Sequence, residues 1–106
     1  LVVKRSGDRM SYHRSKVILG VTKACEKRPV SLEEIEMIVD RVEEKLAASG
    51  RREVPSETIG HFVLDELRQV DEVAYIRFAS VYRSFQSMDE FFALVRDLRE
   101  GKDTES

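Results

Sequence analysis

The 106-residue sequence has a single cysteine, no tryptophan, two prolines and five glycines. One cysteine excludes an internal disulfide and a cysteine-based metal cluster within this chain, and it favours a reducing, cytoplasmic setting. No apolar run approaches the roughly 20 residues of a membrane-spanning helix, so we expect no membrane partner. The chain has no Walker A, GxGxxG or HExxH motif and no obvious acid–base system of carboxylate and histidine, so we do not expect an enzyme.

Charge is abundant in this sequence, and it is unevenly distributed. Residues 1–28 hold eight Lys/Arg and two Asp/Glu, whereas the remainder holds ten Lys/Arg and eighteen Asp/Glu. A basic end on an acidic body favours an anionic ligand at that end, because like charges are costly to cluster without a partner. A solvated basic face is the alternative at this point.

The first seventeen residues predict two short strands followed by the start of a helix. Residues 2–5 and 10–12 have strand character, and Ser-Gly-Asp at 6–8 is typical of a tight turn. Residues 51–55 predict a further short strand beside this hairpin. Lys4, Arg5 and Lys16 lie around the hairpin and the helix start, where charge-assisted hydrogen bonds and the helix dipole can hold a triphosphate.

Two helices follow the hairpin. The first is predicted from about residue 13 to 26, with Val17, Val21 and Cys25 on its apolar face. The second begins with a capping box of Ser31 and Glu34 and ends before residue 50. Cys25 is therefore expected to fill the core rather than to react.

The second half of the chain predicts three more helices. Ser56 is expected to cap the third helix, and Asp71 the fourth, which runs from 72 to about 85. The fourth helix carries an aromatic stripe, formed by Tyr75, Phe78, Tyr82 and Phe85. Such a stripe is typical of a core, although a tyrosine hydroxyl can also point into a pocket. Residues 87–101 predict an amphipathic helix, and residues 102–106 a disordered tail.

These elements predict an α+β, mostly helical fold. A small β cap of two or three strands lies on a four-helix bundle, and a C-terminal helix follows. The predicted division is a domain at residues 1–86, the amphipathic helix at 87–101 and the tail at 102–106. The hairpin is too small to be stable alone, so it must pack on the helix ends.

Three stretches of the chain resemble a known family. Val-x-Lys-Arg-x-Gly at residues 2–7, followed by Tyr12 and by Lys16 in the opening helix, resembles the ATP-cone. The ATP-cone is the nucleotide-sensing domain at the front of many ribonucleotide reductases. ACEKRPV at 24–30 and DEVAYIRFASVYRSF at 71–85 are similar to NrdR-type repressors of bacterial ribonucleotide reductase genes. The resemblance covers residues 1 to about 95.

The resemblance implies that the domain at 1–86 binds ATP or dATP, and that the nucleotide switches oligomeric state and DNA binding. It implies phosphate contacts from Lys4, Arg5 and Lys16. The residues that it implies for the base and sugar pocket are Val2, Tyr12, Val17, Ser56, Ile59 and, from the aromatic helix, Tyr82.

The resemblance also implies partners. Self-association is expected through the fourth and fifth helices. A four-cysteine ribbon, which this chain does not contain, is expected to bind zinc and the operator DNA.

The sequence departs from the family pattern at two positions. Met10 stands where the family usually has Glu, and a thioether is a poor acceptor for a hydrogen bond from an adenine amino group. His13 stands where a helix-capping Asp is usual.

Three other functions stay open from the sequence. The first is the ATP-cone of a ribonucleotide reductase itself, which a long catalytic chain after residue 106 would favour. The second is a small nucleic-acid-binding helical module, whose DNA affinity would fall steeply with salt. The third is a purely structural domain.

Overall fold

A computed structural model of the chain describes residues 1–3, 9–83 and 96, with the side chains of residues 10, 82 and 83 outside the description. Its elements are β1 (Val2–Val3), β2 (Arg9–Met10), α1 (Arg14–Ala24), α2 (Leu32–Ala48), β3 (Val54–Pro55), α3 (Ser56–Val70) and α4 (Glu72–Arg83). The prediction of an α+β, mostly helical fold with a small β cap is confirmed. The predictions for residues 87–101 and 102–106 lie outside the described residues, and the division at residue 86 stays a prediction.

The three strands form one sheet in the order β2-β1-β3. β1 pairs antiparallel with β2, with Val2 opposite Met10. It pairs parallel with β3, with Val2 opposite Val54. The predicted third strand therefore exists, and its parallel pairing brings the start of the chain against the connection between α2 and α3.

The four helices form a bundle in which each packs against two others. α1 packs against α2 and α4, and α3 packs against the same two helices. The core between them is mainly aliphatic, with Ile38, Leu64 and Leu67 almost fully buried and Tyr75 of α4 packed among them. Burial of each such side chain contributes about 1.5–3 kcal/mol, so the bundle stabilises the fold and the small sheet depends on it.

The predicted face of α1 is confirmed as core. Val21 and Cys25 are buried, and Val17 packs against the same cluster. Burial, helped by the negative charge of Asp71, raises the pKa of the Cys25 thiol, so the thiol stays protonated and acts as a small apolar side chain. Just beyond α1, Lys27 has a φ of 60°, the left-handed conformation that commonly closes a helix C-terminus.

α2 begins at the predicted capping box. The amide of Glu34 donates a hydrogen bond to Ser31 Oγ at 3.1 Å. The amide of Ser31 donates in return to Glu34 Oε1 at 3.0 Å. Two backbone donors that have no partner within the helix are thus satisfied by side chains.

Asp71 caps α4 as the sequence predicts, since the Ala74 amide donates to its Oδ1 at 2.9 Å. The Arg28 Nε also donates to both carboxylate oxygens at 3.1 Å, which joins the end of α1 to the start of α4. Burial alone would raise the pKa of Asp71, but the hydrogen bonds from Ala74 and Arg28 outweigh it and hold the pKa below its usual 3.8.

Two local predictions are wrong. Ser56 does not cap α3; it is the first helical residue, and the N-cap is Pro55, which makes no side-chain capping bond. The reason is that β3 extends through Pro55, so the helix begins where the sheet pairing ends. β2 lies at Arg9–Met10 rather than at 10–12, because its partners in β1 are Val2 and Val3.

No helix within residues 1–3, 9–83 and 96 combines the length and apolar character needed to cross a membrane.

Replacing Ser31 by Ala should lower the free energy of unfolding by about 1 kcal/mol, because the Glu34 amide loses its acceptor. Urea denaturation followed by far-ultraviolet circular dichroism measures this change. Ser15→Ala, at an exposed position of α1, is the control and should stay within about 0.5 kcal/mol of the parent. Equal unfolding midpoints for Ser31→Ala and the parent would contradict the role of the capping box.

Candidate functional site

A cavity of about 430 Å³ lies between the sheet and the helices. It is bounded by the end of α2, by the start of α3 and by the chain that leads into α1. Apolar side chains form most of its wall, with charged residues at Glu43, Arg51 and Arg52. Its described lining residues are Leu1, Val2, Tyr12, Glu43, Leu46, Ala47, Arg51, Arg52, Val54 and Ile59.

The pairing of β1 with β3 assembles this cavity. Val54, which is 8% exposed, lies beside Val2 in the sheet and faces the bundle. The backbone amide of Val54 donates to the Leu1 carbonyl at 2.8 Å, and the Leu1 nitrogen donates to the Arg52 carbonyl at 2.8 Å. These bonds place Arg51 and Arg52 next to the first residues of the chain.

A hydrogen-bonded network forms one side of the cavity. The Tyr12 hydroxyl donates to Glu43 Oε2 at 2.8 Å, and the Arg14 guanidinium donates to Glu43 Oε1 at 2.7 Å. Arg14 also pairs with Asp40 Oδ1 at 2.8 Å. The Glu43 carboxylate is therefore held by two donors from the segment that enters α1.

The environment of Tyr12 keeps its hydroxyl protonated. Burial is the main cause that raises its pKa, and the hydrogen bond to Glu43 together with the negative charge of that carboxylate raises it further. The positive charge of Arg14 opposes them but is the smaller effect. The folded pKa thus lies above the unfolded value, so this hydrogen bond stabilises the fold below about pH 10 and the contribution is lost as the pH rises through the folded pKa.

The structure brings three of the predicted pocket residues to this cavity: Val2, Tyr12 and Ile59. Val17 instead packs on the core, and Ser56, the first residue of α3, is not among the lining residues. Their predicted nucleotide contacts stay predictions.

The predicted phosphate contacts and Tyr82 also stay predictions. Lys16 is exposed on the first turns of α1. Lys4 and Arg5 lie outside the described residues, as does the side chain of Tyr82. Lys4 and Arg5 follow β1 directly in sequence, and Val2 of that strand lines the cavity.

The charged residues of the cavity wall are not among the site residues predicted from the sequence. Arg51 and Arg52 could have been found as a basic pair beside a predicted strand that joins the hairpin. Glu43 gave no comparable signal, because it is one of several acidic residues on α2 and only the tertiary fold distinguishes it.

The groups that line the cavity suit the binding of a ligand. An apolar cavity of this size with a few polar groups suits a small ligand, and Arg51 and Arg52 suit an anionic one. Among residues 1–3, 9–83 and 96, no group of His, Cys, Asp and Glu side chains is arranged to hold a metal ion.

Residues 1–88 match the ATP cone domain family, and the chain belongs to that family. It is similar to proteins named "Transcriptional repressor NrdR" from several bacteria. The protein of Citrifermentans bemidjiense is 54% identical over 98 residues, which cover 92% of this chain and 65% of that protein. The protein of Exiguobacterium sibiricum is 48% identical over 106 residues, covering 99% of this chain and 66% of that protein.

This chain thus spans about two thirds of the length of the curated relatives that it matches. The family resemblance drawn from the sequence is confirmed. The relatives' name describes them as repressors of transcription.

The Tyr12→Phe variant should show the same tyrosinate absorbance at about pH 10 as the parent protein, because the Tyr12 hydroxyl is still protonated there. An ultraviolet pH titration of the folded protein measures it, with circular dichroism at each pH to confirm folding. An ordinary tyrosine is about half ionised at this pH. Loss of about half a tyrosinate per chain in the variant would contradict the protected environment of Tyr12.

Proposed function

We propose that this chain is the nucleotide-sensing domain of a bacterial repressor of ribonucleotide reductase genes, and that it binds ATP or dATP. The observation that carries the proposal is the cavity under the three-stranded sheet. Val2, Tyr12 and Ile59, which the family resemblance implies for the base and sugar, lie together there. The match of residues 1–88 to the ATP cone domain family supports the same ligand class.

The cavity suits the nucleoside part of such a ligand, and its volume of about 430 Å³ lies within the range of small-molecule pockets. The apolar wall of Val2, Leu46 and Ile59 can pack against a base. Arg51 and Arg52 add positive charge at the cavity, and the predicted phosphate residues Lys4, Arg5 and Lys16 add more. The phosphates of the nucleotide would thus be the anionic ligand that the excess of positive charge in residues 1–28 favours.

The proposed activity of the whole protein is repression that depends on the nucleotide bound, in the cytoplasm. The relatives' name supports a repressor over the domain of a reductase. Operator DNA would be bound by a zinc ribbon outside this chain, as the resemblance implies. This domain would then supply the nucleotide response and the contacts between copies.

A second cavity, of about 400 Å³, supports self-association. It lies between α1 and α4, and its described lining residues are Gly20, Lys23, Ala24, Arg77, Phe78 and Val81. Val81 is 83% exposed and Leu19, on the same helix as Gly20, is 55% exposed. We propose that a second copy of the chain covers this surface; α4 is one of the two helices predicted for association, and the other lies outside the described residues.

ATP and dATP should each bind this domain in a calorimetric titration, and Lys4→Ala or Lys16→Ala should weaken binding by roughly ten- to a hundredfold, the effect of losing one charge-assisted hydrogen bond. Lys27→Gln is the control, since it removes an exposed positive charge just beyond the far end of α1. If no binding is detected at millimolar nucleotide, the proposed function would be overturned. A dissociation constant of that size corresponds to a binding free energy of only about −4 kcal/mol.

Val81→Asp should lower the mass of any oligomer seen with nucleotide, because a charge would be buried against the second copy. Light scattering after size-exclusion chromatography measures the mass. Met37→Asp places the same charge on an α2 side chain that is 50% exposed, and it should leave the mass unchanged. An equal effect of both variants, or none of either, would argue against this surface.

A further inference from the structure

Glu43 is the acidic residue among the described lining residues of the cavity under the sheet. Its side chain is about one third exposed and contributes to the cavity wall. Leu46 and Ala47 of the same helix, together with Val2 and Ile59, add apolar side chains to that wall. A carboxylate placed in such a wall needs hydrogen-bond donors.

Two donors are supplied by the protein, and they leave room for a third. Tyr12 donates to one carboxylate oxygen and Arg14 to the other. An ionised carboxylate has about four acceptor positions and no donor, so each oxygen keeps a free position. The two bonds also fix the orientation of the carboxylate, because they come from neighbouring points at the start of α1.

Such a group distinguishes ligands by their donors. It attracts an N–H group, and it repels a carbonyl oxygen placed at the same point. Adenine carries an amino group at the position where hypoxanthine carries a carbonyl oxygen. A ligand that leaves a polar group of the site without a hydrogen-bond partner binds much more weakly, so one carboxylate can determine which base is preferred.

We propose that Glu43 selects a 6-aminopurine by accepting a hydrogen bond from its exocyclic amino group, with Tyr12 and Arg14 as positioning residues. This inference rests on the proposed function, because it requires that a nucleotide base occupies the cavity. Glu43 would supply from α2 the hydrogen-bond acceptor that the thioether of Met10 in β2 supplies poorly.

The test compares ATP with inosine triphosphate by calorimetry, in the parent protein and in Glu43→Gln. The parent should bind ATP more tightly by roughly ten- to a hundredfold. In Glu43→Gln the ratio should fall towards one, because a side-chain amide can donate to the carbonyl oxygen as well as accept from an amino group. Glu44→Gln makes the same change at the next, exposed residue of α2 and should keep the parent's ratio.

Tyr12→Phe is the second variant, and it guards against a folding defect in Glu43→Gln. It keeps the carboxylate but removes one of its two holding bonds, so the ratio should fall by less than in Glu43→Gln. A merely structural role of Tyr12 would weaken both nucleotides equally and leave the ratio unchanged.

The outcomes separate this inference from the proposed function. If the parent binds ATP and Glu43→Gln keeps the parent's preference, the role of Glu43 is overturned and nucleotide binding stands. If the parent binds neither nucleotide, both fall. A lost preference in Glu43→Gln, with the preference kept in Glu44→Gln, supports the role of Glu43.

Discussion

The parallel pairing of β1 with β3 is the interaction on which the site depends. It joins the first residues of the chain to the segment between α2 and α3, with Val2 beside Val54. Strands of two residues cannot hold this arrangement alone, so the helical core must support it. Without this pairing Val2 would leave Leu46 and Ile59, and the cavity would lose one wall.

α1 contacts the network beside the first cavity and lines the second cavity, which lies between α1 and α4. At its start, Arg14 holds Glu43 and Asp40 of α2. Further along, Gly20 and Lys23 line the groove proposed to contact a second copy. On the proposed function, a ligand that moves the Tyr12–Glu43 network would act on the helix that also lines the proposed interface.

Local signals in the sequence were reliable where a short segment determines its own structure. The capping box at Ser31 and the cap at Asp71 require only neighbours in sequence, and both were predicted. The cap at Ser56 failed because pairing with β1, a distant segment, extends β3 to Pro55. The position of Glu43 on the cavity wall could not be predicted for the same reason, since the cavity is assembled from segments that are far apart in the chain.

On the proposed function, the arrangement would separate the parts of a nucleotide by their chemistry. An apolar wall with one oriented carboxylate suits the base, whereas the basic residues near β1 and the start of α1 suit the phosphates. Neither set of contacts differs between ATP and dATP, because these ligands share base and phosphates and differ by one ribose hydroxyl. On the proposed function, the switch between the two must therefore arise where the sugar lies, between the carboxylate and the cations. The residues that determine the response to ATP or dATP should therefore be sought in the part of the cavity wall between Glu43 and the basic residues.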